Sequence, residues 1–166
     1  MPLRRELKSI PEPVKKNVTV QEFGPVHQHA AESLINSNLL EHFGTLRSEL
    51  NPDLFDIGKA YQEGVFLVAL LDDGTLVGTG SLMPESPGIG RIARMHTAGN
   101  FRRLGIATMM LRSLEERATN FGYSAVVLET TLDWFDAIAF YQRNGYQECS
   151  RDQTGIHFRK DLESGP

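Results

Sequence analysis

The residues best suited to chemistry stand in one short segment, Arg102-Arg103-Leu104-Gly105-Ile106-Ala107. It joins a stretch that reads as a strand to one with helical spacing. A glycine-containing turn there presents unpaired backbone N–H groups at a helix N-terminus. With the helix dipole, those groups make an anion site. Gly105 and Ala107 are small enough for an anion to approach the backbone, and Arg102 and Arg103 add mobile positive charge. The P-loop pattern needs a Gly-Lys-Ser/Thr ending, which is absent. The dinucleotide fingerprint needs three glycines at set spacing, and only Gly105 is present. On residue types alone, the segment is a phosphate cradle or a plain capped helix start. Downstream stand Ala137 and Tyr141, four apart and hence on one helix face, followed by Gly145-Tyr146.

These segments need elements to hold them. Val18 to Phe23 alternates as a strand. Val26 to about Leu50 is helical in composition and broken near Gly44. After the Asn51-Pro52 turn, Leu54, Phe55, Ile57 and Tyr61 are spaced for a second helix. Val65–Leu71 and Leu76–Met83 flank the Asp72-Asp73-Gly74 turn and form a hairpin. Pro84 to Gly90, with two prolines, is expected as a loop. Arg91 to Ala98 is a further strand. In the helix that follows, from Arg102 to Phe121, one face carries Ala107, Met110, Leu111, Leu114, Ala118 and Phe121. Ser124 to Thr130 is a buried strand. Asp133 is placed to N-cap a helix running to Asn144, with Gly145 as its C-cap. Tyr146–Ser150 and Gly155–Lys160 close the chain as a hairpin. The order is strand, two helices, three strands, helix, strand, helix, two strands. A strand–helix–strand crossover implies a parallel pair, and the hairpins imply antiparallel ones. The expected fold is a mixed, mostly antiparallel twisted α/β (α+β) sheet of seven strands flanked by four helices.

Arg-x-x-Gly-x-Ala after a strand resembles the pyrophosphate-binding motif of the GNAT superfamily of N-acetyltransferases. Ile92-Ala93-Arg94-Met95-His96-Thr97 resembles the strand that precedes it there, and Ala137-x-x-x-Tyr141-x-x-x-Gly145-Tyr146 resembles the family's second motif. The resemblance runs over Ile92 to Tyr146, with the Val65–Met83 hairpin also fitting. It implies acetyl-CoA as co-substrate, a central parallel strand pair that splays to admit the pantetheine arm, and acetyl transfer to an amine. Met95 and Thr97, flanking His96 on the strand, would offer backbone groups to the arm. One of their N–H groups would polarise the thioester carbonyl. Backbone N–H groups from Arg103 through Leu104, Gly105, Ile106 and Ala107 to Thr108 would hold the pyrophosphate, helped by Arg102. Ala137 would let the arm pass, and Tyr141 would be the general acid, the alternative being a core aromatic. Relatives often carry an acid where Arg91 stands, and arginine cannot accept a proton. Glu129 is then the candidate base, the alternative being an exposed strand carboxylate. His96 is another, although its parity opposes Met95 and Thr97. Trp134 stands where relatives often carry Asn or Gln; it would pack on the arm or line the acceptor pocket. Leu128-Glu129-Thr130 resembles a bacterial subgroup acting on small molecules. The acceptor implied is an amine of a small molecule or peptide. The alternatives are a protein N-terminus or lysine, and a non-catalytic acyl-CoA-binding regulatory module. A homodimer is common in the family.

Composition narrows the setting. The chain has 166 residues and a net charge of −4, which argues against a general nucleic-acid binder. Its single cysteine, Cys149, excludes an intrachain disulfide and suits a reducing, cytoplasmic compartment. No apolar run approaches a membrane span. Of five histidines, His27 and His29 are close, but no third ligand completes a metal site, so no metal is expected. Residues 1–16, with three prolines, read as a loose N-terminal arm before a single domain over 17–166.

Overall fold

Seven strands form one sheet whose order places a single parallel contact at its centre. The computed structural model describes residues 17–163, and the expected N-terminal arm lies outside them. β1 (Val18–Glu22), β2 (Val65–Leu71), β3 (Leu76–Ser86) and β4 (Ile89–Thr97) run as antiparallel neighbours. β4 pairs in parallel with β5 (Ala125–Thr131), which pairs with β7 (Gly155–Asp161), and β6 (Gln147–Arg151) forms the far edge. β2 reads Val-Phe-Leu-Val-Ala-Leu-Leu because helices cover both of its faces.

The first helix is α1 (Gln28–Phe43), and α2 is a single turn, Ile57–Ala60. α3 (Ile106–Asn120) lies on the opposite face from α1, and α4 (Phe135–Arg143) follows β5. α3 buries Met110, Leu111, Leu114 and Ala118, which recur at three- and four-residue intervals. Each fully buried large side chain is worth about 1.5–3 kcal/mol. Gly80 sets the depth of this contact: a Cβ there would lie 2.9 Å from both Leu114 and Met110. Its absence lets α3 settle onto β3, which fixes the start of α3 beside the end of β4.

Several expectations needed correction. Pro84 to Gly90 is not a loop; β3 and β4 stay paired to Ser86↔Ile89. β2 begins opposite Leu82, so β3 has a free edge beyond it, where a proline's missing donor is tolerated. The second helix shrinks to α2 preceded by two 3₁₀ turns, Ser48–Leu50 and Pro52–Leu54. Asp53 there pairs with a distant arginine, and Asp56 takes the capping role by accepting from Lys59 N–H. α3 starts at Ile106 rather than Arg102, because Arg103 (φ 63°) and Gly105 (φ 82°) are left-handed. Phe121 is not on its buried face but is half exposed. Asp133 does not cap α4, whose N-cap is Trp134; its carboxylate instead meets His42 at 3.2 Å. Among the described residues no helix is long and apolar enough to cross a membrane.

Candidate functional site

β4 and β5 begin together and then part. They pair at Ile89↔Ala125, Gly90↔Val126 and Arg91↔Val127, and no further. The cause is a bulge in β4. Its register with β3 steps from Ser81↔Ala93 to Thr79↔His96, and Arg94 sits inside the step at φ 55°. Two buried hydroxyls of β3 stabilise the bulge: Thr79 donates to the Arg94 carbonyl at 2.7 Å and Ser81 to the Ala93 carbonyl at 3.0 Å. β4 then follows β3 while β5 continues along β7 to Thr131↔Gly155. From Ile92 onward the β5 side of β4 has no strand partner among the described residues. An extended chain with amide groups can add itself there as a strand does. The Thr97 carbonyl is already engaged, since the Asn38 amide donates to it at 3.0 Å.

β4 leads through a 3₁₀ turn, Gly99–Phe101, into the Arg102–Gly105 turn and α3. Met109 N–H donates to the Gly105 carbonyl at 3.0 Å, so the helical ladder starts there. The amides of Ile106, Ala107 and Thr108 precede the ladder and have no intrahelical acceptor. Left-handed Arg103 and Gly105 curl the chain ahead of them into a concavity of N–H groups. Arg103 has no ion-pair partner among the described residues. Arg102 reaches across to α1, donating to Glu41 at 2.9 and 3.0 Å and to the Asn38 side-chain carbonyl at 3.3 Å. That hydrogen bond holds the Glu41 carboxyl below its usual range. Leu104 is exposed and Ala107 half-buried.

Tyr141 of α4 is buried against Phe140, Tyr146 and Phe158, with ring centroids 5.2, 5.6 and 6.2 Å away. Its hydroxyl has no hydrogen-bond partner among the described residues, and burial pushes its pKa well up. It therefore stays protonated at neutral pH, a donor with nothing yet to donate to. Tyr146, by contrast, donates to Glu115 at 3.3 Å, where Lys160 also binds at 2.9 Å. Ala137, one turn before Tyr141, packs at the rim of the same core.

Residues on the α1 side of the sheet form a second group. Trp134 stacks on His42 with centroids 4.0 Å apart and planes 8° from parallel. Phe43 meets Trp134 edge-on at 5.9 Å, and His96 lies 6.2 Å away. His96 faces α1, whereas Met95 packs toward α3, as strand parity predicts. Burial, with help from Arg94 and Arg102, lowers the His96 pKa to about 4, so the ring is neutral. Arg94 binds Asp53 through two nitrogens at 2.6 and 2.9 Å and Asn51 at 3.1 Å. Tyr61 donates to the same carboxylate at 2.5 Å. Burial pushes the Asp53 carboxyl upward, but its bonds to Arg94 and Tyr61 outweigh this and hold it low. Where β4 and β5 part, a cleft of about 290 Å³ is lined by Arg91, Ile92, Ala93, Glu129, Thr130 and Thr131. Glu129 is partly exposed there, with His157 at 3.9 Å.

The chain thus runs from the free edge of β4 into the Arg102–Thr108 turn, Glu129 lines the cleft from β5, and Tyr141 belongs to the core packed against α3. Trp134 and His96 belong to the α1-side cluster. The Arg94–Asp53–Tyr61 group and Asn38 escaped the sequence reading. The one local signal was Asn38, a polar residue on the buried face of α1.

The family model for the acetyltransferase (GNAT) family matches residues 31–146. Probable N-acetyltransferase family 8 member 5 of Mus musculus is 34% identical over 109 residues, 61% of this chain and 48% of the relative. The chain thus spans about half the length of that protein. A GNAT-family acetyltransferase from Staphylococcus aureus superposes with a TM-score of 0.82 at 20% identity, covering 89% of this chain and 100% of that one. The PaiA N-acetyltransferase of Thermoplasma acidophilum, solved in complex with coenzyme A, superposes with a TM-score of 0.74 at 14% identity, covering 88% and 99%.

Proposed function

Because the chain belongs to the acetyltransferase (GNAT) family, we propose that it transfers the acetyl group of acetyl-CoA to a primary amine of a small molecule or peptide, by direct attack in a ternary complex. The observation that carries this reading is the parting of β4 from β5 beside a helix start with free amides. The residues present fit acetyl-CoA. The cofactor is a polyanion on a thin amide-bearing arm, and the gap offers a cationic N–H concavity continued by an unpaired strand edge. Coenzyme A bound to the Thermoplasma relative, which shares the fold, is consistent with this.

Backbone N–H groups from Arg103 to Thr108 hold the pyrophosphate, and the unpaired Arg103 side chain adds charge. Arg102 joins them by exchanging Glu41 for a phosphate. Met95, and the N–H of Thr97, bond the arm along the strand edge, and a β4 N–H polarises the thioester carbonyl as an oxyanion donor. Ala137 leaves room for the arm next to α4. The bound cofactor supplies an activated acetyl group and a thiolate that must be released. As the amine nitrogen bonds to the acetyl carbon and the carbon–sulfur bond breaks, Tyr141 donates its phenolic proton to sulfur. Glu129 accepts the amine's proton, directly or through water. His96, held neutral, is the second candidate base, and Trp134 lines the acceptor side.

The test is amine-dependent release of coenzyme A, followed with a thiol-reactive chromogen across a panel of amines. Acetyl-CoA-dependent acetylation of at least one primary amine is expected. Failure to bind acetyl-CoA by calorimetry would overturn the reading.

A further inference from the structure

The cleft at the parting of β4 and β5 carries more charge than acetyl transfer requires. Its walls present Arg91 from one strand and Glu129 from the other. The acetyl thioester is neutral and calls for neither. A plain alkylamine calls for a carboxylate at most. A guanidinium at this point costs desolvation unless something anionic meets it.

Glu85 meets only part of it. Arg91 donates to Glu85 side-on, from Nε at 2.7 Å and Nη2 at 2.8 Å. Nη1 has no partner among the described residues. A guanidinium has five N–H donors, so its outer edge, the Nη1/Nη2 fork, remains able to take a second carboxylate. Arg91 is about one-third exposed, and that exposure includes the cleft it lines. Glu129 is similarly available: His157 at 3.9 Å is beyond hydrogen-bond distance and bonds Asp152 at 3.2 Å instead.

Register relates the two walls. Arg91 stands opposite Val127, and Glu129 is two residues further along β5, hence on the same face. Both line the one cleft, so a molecule held there meets the two side chains together. A molecule bearing an ammonium and a carboxylate on one carbon offers one group to each wall.

We propose that this cleft is an acceptor subsite for α-amino acids or amino acid-like zwitterions, with Arg91 binding the acceptor's carboxylate and Glu129 its amine. The inference rests on the acetyl-transfer reading and narrows its acceptor. Arg91 stands where relatives often carry an acid, and here it selects the substrate instead of moving a proton.

The experiment compares free L-amino acids with their methyl esters and with simple alkylamines. Transfer is read as coenzyme A release, and binding as calorimetric titration of the coenzyme A-loaded protein. The acids are expected to show KM values at least tenfold below their esters, the equivalent of one charge-assisted pair. Arg91→Gln should collapse that preference toward one, mainly through KM for the acid, and Arg91→Lys should restore part of it. Equal use of acids and esters, or an acid preference unchanged in Arg91→Gln, overturns the subsite even if transfer to other amines proceeds. If no amine is acetylated, calorimetry still decides: Arg91-dependent binding of acids over esters supports the subsite while the transfer reading fails, and no binding overturns it.

Discussion

The two sides of the gap are built from different materials. On the proposed cofactor side, the groups offered are backbone: the amides at the start of α3 and the free edge of β4, shaped by left-handed turns and a bulge. On the proposed acceptor side they are side chains, held by the long-range Arg94–Asp53 pair and His42–Trp134 stack and by the hairpin pair Arg91–Glu85. A backbone site tolerates most side-chain changes that keep its dihedral angles. A side-chain site fails when one partner of a pair is removed. Tyr141 is the exception, a side chain proposed for the cofactor side whose hydroxyl has no hydrogen-bond partner among the described residues.

The largest effect expected tests that exception. Tyr141→Phe should lower kcat by about 10²–10⁴-fold, the range for loss of a positioned acid. KM for acetyl-CoA and the melting temperature should barely change, because the hydroxyl bonds nothing in the described protein. An unchanged kcat would return Tyr141 to the role of a core aromatic.

Next comes the buried pair. Asp53→Ala leaves Arg94 without its carboxylate inside the protein. Removing one member of a buried pair costs about 3–5 kcal/mol, and the partial exposure here places the expected loss at about 2–3 kcal/mol. Urea denaturation measures it. The double change Asp53→Ala with Arg94→Met should lose less than Asp53→Ala alone, since no charge is then stranded. If the two losses simply add, the pair is not coupled.

The acceptor side should also respond to acid through His96. Its folded pKa of about 4 lies below the unfolded value of about 6.5, so the unfolded chain binds the extra proton first. Stability should therefore fall as pH drops from 6.5 toward 4, by up to about 3 kcal/mol from this residue. His96→Gln should flatten that slope in urea melts at pH 7, 5.5 and 4.5. A slope equally steep in the variant would assign it to other groups.

The smallest effect belongs to the backbone side. Gly105→Val forces a β-branched residue to φ 82°, which costs about 1–2 kcal/mol. Space is not the obstacle, for a Cβ there meets nothing within 4 Å. The cost should appear as a raised KM for acetyl-CoA with a smaller change in kcat. Arg103→Ala, which keeps the backbone, should weaken binding less and only at low salt.

Legibility in the sequence followed the same division. The succession of strands along the chain, the helix bearing Met110, Leu111 and Leu114, and the turn at Gly105 were readable because each depends on neighbours a few residues apart. The prolines at 84 and 87 misled, because a free strand edge created by where β2 starts tolerates Pro84, and Pro87 stands in the tight turn between β3 and β4. The expected second helix kept only the turn that Asp56 caps, while Asp53 just before it is held by a tertiary ion pair with Arg94.

The sequence by itself determined the residues proposed for the cofactor side. Glycine at 105, small residues at 107 and 137 and an aromatic hydroxyl at 141 lie within elements whose periodicity places them, so their relation survives without knowledge of the rest. Only the tertiary structure decided which charges meet. Arg94 finds Asp53 and Arg102 finds Glu41 across separations of 41 and 61 residues. No local pattern encodes such pairings, because they depend on how α1 and the turns before α2 close over the sheet. The folded structure also decided that Arg91 shares a cleft with Glu129, since that follows from the register at which β4 and β5 meet before the bulge parts them.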